Sequence, residues 1–445
     1  MPKLNLINPV GRRSGLLMSR ISKFAPLGLA YVAALTPRHW RVEILDENFD
    51  TETYSEADLV GITAFTSNIN RVYDIAKNYR ERGVPVVLGG IHASMIPDEG
   101  LQYVDTVVVG EAEHAWPEVI RDFEAGRLQR IYHGSHVDMT NYRVRPRRDL
   151  LHKDYIWQSV QTSRGCPFNC NFCSVTRYLG KTYRKRSAED VLDELSTIEG
   201  RYIAFVDDNL IGHGAEDRER AEKIFKGMIA RRMNKRWWMQ TSINAGENEA
   251  LIRLAAAAGC MFVFMGLETM DPAILRKMRK GINLKLGVEN YRHIVRRFQR
   301  YGIAVLGAFI LGNDYESPPY YRKFARFLSS SPIDIFQLTL LTPLPGTDLM
   351  CQLQKENRIL YKDYPKDWDR YRFSYMVHRP EGVTPDEIYA GNNYIKKQLY
   401  SFPFYQIRLL RTLIRLKNLP NFYVTYKLNE AFKKGWKNAH YFGKY

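Results

Sequence analysis

Cysteine is scarce in this sequence: there are five in 445 residues. An odd and small number excludes a disulfide framework and points to a reducing, intracellular compartment. Long apolar runs are missing too, and no stretch reaches the ~18 residues that a membrane span needs. The run FAPLGLAYVAAL at 24–35 is short, contains Pro26 and Gly28, and follows the strand-like KLNLIN. It reads as a buried or amphipathic helix in preference to a secretory signal. Acidic residues are outnumbered 48 to 65, for a formal net charge of +17. Such an excess suits nucleic acid, an anionic membrane surface or an acidic substrate. It is unevenly spread. Residues 401–445 hold nine basic residues (Arg408, Arg411, Arg415, Lys417, Lys427, Lys433, Lys434, Lys437 and Lys444) against one acid, Glu430.

Hydrophobic residues make up 45% and charged residues 25%, the balance of a globular chain with a sizeable core. The length suggests about three domains. The first part alternates buried strands with helical patterns. KLNLIN (3–8), RVEILD (41–46), DLVGITA (58–64), VPVVLGG (84–90) and DTVVVGE (105–111) read as strands, with helices at 26–36, 69–82 and 113–125 between them. This predicts a doubly wound parallel sheet over 1–140, with a ligand beyond the carboxyl ends of its strands. Those ends, TAFTSN (63–68), GGIHAS (89–94) and GEAEH (110–114), are rich in small residues that admit a ligand to the backbone, or serve as ordinary turns.

The polar, basic NYRVRPRRDL marks a linker, placed at 141–154. Residues 155–350 alternate again. Strands are expected at 156–163, 202–208, 237–243, 261–268, 303–312 and 335–343, and helices at 187–199, 216–233, 247–258, 283–301 and 318–331. Six β/α units predict a partial (β/α)6 barrel of the TIM type, with its site at the carboxyl ends of the strands. Those ends carry Arg164–Cys173, Asp207–Asn209, Ser242, Gly266–Glu268, Gly312 and the TPLPGT turn at 342–347. Over 351–445 the alternation is lost, and from 386 the pattern is helical, broken by Pro403 and Pro420.

Three of the five cysteines, Cys166, Cys170 and Cys173, stand in SRGCPFNCNFCSVTRY right after the first barrel strand. Three thiolates bind soft metal. A structural zinc site wants a fourth ligand, and none stands nearby. A four-iron cluster held by three thiolates keeps one iron open to a small molecule.

Here the chain resembles a known family. C-x3-C-x2-C with Phe172 before the last cysteine is the signature of radical S-adenosylmethionine enzymes. The resemblance implies a [4Fe-4S] cluster on Cys166, Cys170 and Cys173 whose open iron chelates the methionine end of S-adenosylmethionine, and reductive cleavage to a 5′-deoxyadenosyl radical. It implies that Phe172 packs near the adenine, that Ser242 and Glu268 hold the methionine or ribose, and that Gly266 permits close approach. Asp207 and Asp208 face cofactor or substrate, or are equally a solvated or helix-capping pair. A charge as deep as Glu268 demands a partner. The run VGITAFTSN…GGIHAS…GEAE resembles the cobalamin-binding domain that precedes many such barrels, with contacts from Thr63, Thr66, Ser67, Gly89 and Gly90. The D-x-H-x-x-G pattern of an axial histidine is absent, and His92 is expected at a turn or helix start, not on cobalt. Cys260 reads as core. Cys351 is either bland or a substrate contact, and the two are too few for a second cluster.

The expectation is therefore a cytoplasmic, cobalamin-dependent methyltransferase. It would use one S-adenosylmethionine to methylate cobalamin and a second to make the radical. Its substrate would be an unactivated carbon of a hydrophobic lipid, tetrapyrrole or antibiotic precursor. The rival is a cyclase, coupling or oxidative enzyme with a vestigial first domain. A flavodoxin or ferredoxin is the expected reductant, and nucleic acid is not expected. YQIRLLRTLIRLK (405–417) puts Ile407, Leu410 and Ile414 on one face and Arg408, Arg411 and Arg415 on another. It reads either as a peripheral contact on the inner face of a membrane, or as a helix packing its apolar face on the barrel with its arginines in solvent.

Overall fold

The computed structural model describes residues 1–11, 20–50 and 54–438; Lys444 lies outside them. Six strands form the first sheet: β1 (Lys3–Asn8), β2 (Arg41–Asp46), β3 (Leu59–Thr63), β4 (Val86–Gly89), β5 (Thr106–Gly110) and β6 (Ile131–Gly134). Every pairing is parallel, in the order β2-β1-β3-β4-β5-β6. Their Val- and Ile-rich segments suit a sheet covered on both faces. Leu4, Leu6, Leu59 and Val108 pack beneath the helices Leu27–Leu35 and Ala112–Glu124. Ile7, Val60, Ile62 and Leu88 pack beneath the helix Ile69–Glu81. Strand order reverses between β1 and β3, so their carboxyl ends splay apart and leave a crevice. The five expected strands are all present. β6 was not expected, because IYHG is too short and polar to read as a strand.

The second sheet is also parallel, in the order β14-β13-β12-β11-β10-β7. Its strands are β7 (Gln158–Val160), β10 (Tyr202–Phe205), β11 (Arg236–Thr241), β12 (Cys260–Glu268), β13 (Ala304–Leu311) and β14 (Ile335–Leu340). Between β7 and β10, β8 (Ser163–Arg164) and β9 (Arg184–Lys185) pair antiparallel and frame the cysteine loop. Side chains alternate. Val263, Met265, Phe309 and Leu311 join the outer core under the helices. Phe264, Gly266, Ala308, Ile310, Gln337 and Thr339 are half-exposed on the inner face. The helix expected over 283–301 divides into Gly281–Leu286 and Tyr291–Arg300, because Gly287 (φ 77°) turns the chain.

Residues read as linker are folded. Tyr142 packs on Leu27 and Tyr31 together with Val137 and Met139 just before the linker, and the Tyr31 and Tyr142 rings lie 5.7 Å apart. After β14 the chain crosses back to the first domain before forming the helices Pro385–Tyr400, Phe404–Leu416 and Leu419–Asn438. The helical pattern breaks at 401–403 and at 417–418, beside Pro403 and Pro420 as expected, and Pro420 itself lies in the first turn of the last helix, where no backbone donor is needed. Of the two readings of the helix Phe404–Leu416, packing of its apolar face on the barrel is not what is found: Arg408 turns inward while Ile407, Leu410 and Ile414 are exposed. No helix among the described residues is long and apolar enough to cross a membrane.

Candidate active site

A cavity of about 650 Å³ opens at the crevice between β1 and β3. Asn8, Gly11, Thr63, Phe65, Ser67, Gly89 and Gly90 line it from the first domain, and Gln161, Arg164 and Val206 from the barrel. A Cβ on Gly28 or Gly89 would meet nothing within 4 Å, so both leave room for a ligand. Thr66 does not line the cavity. It is buried, and its Oγ1 lies 3.1 Å from His92 Nδ1. The other His92 nitrogen, Nε2, lies 3.2 Å from Glu99 Oε1, so the ring is committed to the domain core at a helix start and does not face the cavity.

Arg164 immediately precedes Gly165 and Cys166, and its guanidinium is buried. It donates to Glu111 Oε2 (2.9 Å) and Glu113 Oε1 (2.6 Å), both following β5. Arg184 also pairs with Glu111. Glu111's carboxyl is held below its ordinary range: burial opposes this, and its bonds to Arg184 and the charge of Arg164 overcome it. These ion pairs fix the cysteine loop against the first domain. On the other side, the loop's Asn171 N donates to Met278 O (3.2 Å) and its Nδ2 to Lys277 O (3.0 Å).

Cys166, Cys170 and Cys173 are unpaired and half-buried. Burial raises all three thiol pKa values, that of Cys173 to about 12, and Cys173 also feels the charges of Cys170 and Cys166. Apolar surroundings oppose thiolates unless positive charge is supplied, which suits a donor set that receives metal. Lys280 stands beside them. Burial would lower its pKa, but the charges of Glu268 and Cys170 hold it above its ordinary range. Its Nζ donates to Glu268 Oε1 (2.6 Å), which supplies the partner that Glu268 demanded. Glu268 has φ 62°, at a register shift between β12 and β13. A Cβ on Gly266 would lie 2.4 Å from Glu268 Oε1 and 3.1 Å from Lys280 Nζ, so this glycine makes space for the pair.

Asp207 is fully buried and neither solvated nor a helix cap. Its Oδ1 accepts from Thr162 N (3.0 Å), Thr162 Oγ1 (2.9 Å) and Ser163 Oγ (2.5 Å), which ties β10 to the start of the cysteine loop. Asp208 is close enough to act on Cys166 and Cys173, and burial followed by the charge of Asp207 raises its pKa to about 7. Ser242 Oγ accepts from Asn209 Nδ2 at 3.3 Å. Phe172 packs on the apolar cluster shared by the first domain and the chain after β14. Cys260 is buried core and Cys351 is exposed. Sequence reasoning missed Lys280, because RKMRKG resembles a solvated charge run, and missed Glu111 and Glu113, whose partner Arg164 is 51 residues or more away.

The chain matches the B12 binding domain over residues 14–120 and the radical SAM superfamily over 160–328. An uncharacterized methyltransferase of Pyrococcus horikoshii is 30% identical over 417 residues, covering 85% of this chain and 87% of that protein. The bacteriochlorophyllide d C-12(1)-methyltransferase of Chlorobaculum tepidum is 29% identical over 388 residues, 84% and 81% of the two chains. The fold is shared with the radical S-adenosylmethionine methyltransferase TsrM of Kitasatospora setae, solved with cobalamin and a [4Fe-4S] cluster (TM-score 0.71, 16% identity, 97% and 99% coverage). The chain belongs to the cobalamin-dependent radical S-adenosylmethionine methyltransferases. It is an enzyme whose cofactors are a [4Fe-4S] cluster, S-adenosylmethionine and cobalamin, and the reading with a vestigial first domain is disfavoured.

Proposed function

We propose that this enzyme methylates an unactivated carbon of a hydrophobic tetrapyrrole, with cobalamin in the crevice cavity and the cluster on Cys166, Cys170 and Cys173. The observation that carries the reading is a shared wall: Arg164, two residues from Cys166, lines the same cavity as Gly89 and Gly90. When bound, the cluster supplies the electron that cleaves S-adenosylmethionine, and cobalamin carries the methyl group. Glu268 and Lys280 would present a negative and a positive group to the ammonium and carboxylate of the methionine end. Ser242 and Gly266 would border the same ligand, and Phe172 would back the adenine. Thr63, Ser67, Gly89 and Gly90 would meet the corrinoid, and Thr66 would act through His92. Asp207 would position the loop. Asp208, protonated for much of the time below pH 7, adds little negative charge beside the thiolates.

The inner barrel face supports a hydrophobic substrate. Phe264, Ala308 and Ile310 face it with Gln240 and Gln337, over a floor where Trp238 and Phe262 stack at 5.4 Å. The Chlorobaculum relative's pigment substrate supports the tetrapyrrole class. We place the enzyme in the cytoplasm, attached peripherally to the inner face of a membrane, and reduced by a flavodoxin or ferredoxin, whose acidic surface a chain of +17 would attract.

The test is anaerobic reconstitution with iron, sulfide and hydroxocobalamin, then addition of S-adenosylmethionine and a chemical reductant. The parent should show corrin and cluster absorbance and form both 5′-deoxyadenosine and S-adenosylhomocysteine. The Cys166→Ala, Cys170→Ala, Cys173→Ala variant should keep the corrin bands and lose the cluster and the 5′-deoxyadenosine. Formation of 5′-deoxyadenosine alone would replace methyl transfer with ring closure or coupling.

A further inference from the structure

The helix Phe404–Leu416 and the residues leading into it present apolar side chains to solvent. Phe402 is 81% exposed, Phe404 55%, Leu410 57% and Ile414 61%, with Ile407 between them. Positions 404, 407, 410 and 414 follow helical spacing and make one continuous stripe. The inward face is already satisfied. Tyr405, Thr412 and Leu416 are buried. Arg408 lies 5.0 Å from the Phe336 ring and donates to Asp334 O (3.0 Å) and Asn429 Oδ1 (2.9 Å). Among the described residues, nothing packs over the outward stripe to account for its exposure.

Positive charge borders it. Arg411 and Arg415 lie on the same helix, and Arg292 and Arg296 on the neighbouring helix Tyr291–Arg300. The four are near enough that Arg415's pKa, lowered chiefly by burial, is lowered further by Arg296, Arg411 and Arg292. The acid facing them is Asp334, whose carboxyl accepts from Val305 N, Gln299 Nε2 and Thr412 Oγ1. Glu430, on the last helix, is held by Tyr405.

We infer that this face docks on an anionic lipid bilayer, with Phe402, Phe404, Ile407, Leu410 and Ile414 entering the headgroup boundary and the arginines meeting lipid phosphates. A second copy of the chain fits poorly, because a symmetric contact sets arginine cluster against arginine cluster. The inference rests on the peripheral attachment in the proposed function and not on methyl transfer.

Vesicle flotation of the full chain tests it. The parent should rise with vesicles of three parts phosphatidylcholine to one part phosphatidylglycerol, stay down with phosphatidylcholine alone, and lose binding as salt rises from about 0.1 to about 0.5 M. Leu410→Glu with Ile414→Glu should weaken binding at least about tenfold, and Arg292→Gln with Arg296→Gln about tenfold. Both pairs should keep the parent's circular dichroism and its cleavage of S-adenosylmethionine. A parent that ignores both vesicle types while still cleaving S-adenosylmethionine would overturn this inference together with the peripheral attachment, and leave the radical chemistry of the proposed function standing. A parent dimer that the glutamate pair splits would overturn it in favour of contact between copies.

Discussion

Glu316 is buried beyond the end of β13, where its carboxylate accepts from Gly312 N (2.8 Å), Asn313 Nδ2 (2.7 Å) and Tyr321 OH (3.2 Å). Burial outweighs these bonds and raises its pKa to about 7. The unfolded chain leaves this carboxyl near ~4.3, so folding takes up a proton between the two values. The folded state therefore has its full advantage below about pH 4 and loses it as pH rises through about 7, by at most about 4 kcal/mol. Glu316→Gln mimics the protonated form. Thermal melts at pH 5 and pH 8 should show a smaller loss of stability with pH in the variant than in the parent, and equal losses would discard the argument. None of this is legible in GNDYESPP. The cysteine triad was legible because its chemistry is local, fixed by spacing on one loop. Glu316, Lys280 and Glu111 owe their roles to burial and to partners that the fold supplies.

Strands and most helices were legible at the level of elements, because buried parallel strands read as apolar runs and their crossovers as 3.6-residue periods. Orientation was not. Periodicity divides the helix Phe404–Leu416 into two faces but does not say which one turns inward, since arginine packs well against aromatic rings and carbonyls. The helix Leu27–Leu35 gives an element-scale prediction. Its second residue, Gly28, lines the crevice cavity, and a Cβ at this position would have no neighbour within 4 Å. Leucine there should fill the cavity and, as a better helix former by up to about 1 kcal/mol, leave the fold at least as stable. Gly28→Leu should retain at least about tenfold less cobalamin after desalting, a change of about 1.4 kcal/mol, with unchanged melting temperature and cluster absorbance. Full retention would remove the crevice from the reading.

The order of domains across the whole molecule was legible, but their union was not. Composition put boundaries at 141–154 and 350, as if the parts were separate. Instead, the chain after β14 returns to the first domain and completes its core: Leu349, Ile359, Trp368 and Tyr371 pack with Val72, Ile75 and Tyr79. Trp368 is the keystone of this return. Its Nε1 donates to Glu99 Oε2 (2.9 Å), and its ring stacks on Tyr364 at 3.8 Å and meets His92 edge-on at 5.4 Å. Nearby, Asn70 Nδ2 donates to Asp369 Oδ1 (3.0 Å). A segment that follows the barrel thus supplies apolar surface to the sheet that lines the crevice, so the core of the first domain is completed by chain from beyond the barrel. Scanning calorimetry of the parent should therefore show one cooperative transition. Trp368→Ala opens a cavity in that shared core and should cost about 3–5 kcal/mol, besides leaving Glu99 with one donor fewer. Because the core is shared, the whole transition should move down together and cobalamin retention should fall, although Trp368 does not line the cavity. If the parent instead shows two transitions, and Trp368→Ala shifts only one of them, the domains are stable independently and the return segment is a clasp on the outside of a finished fold.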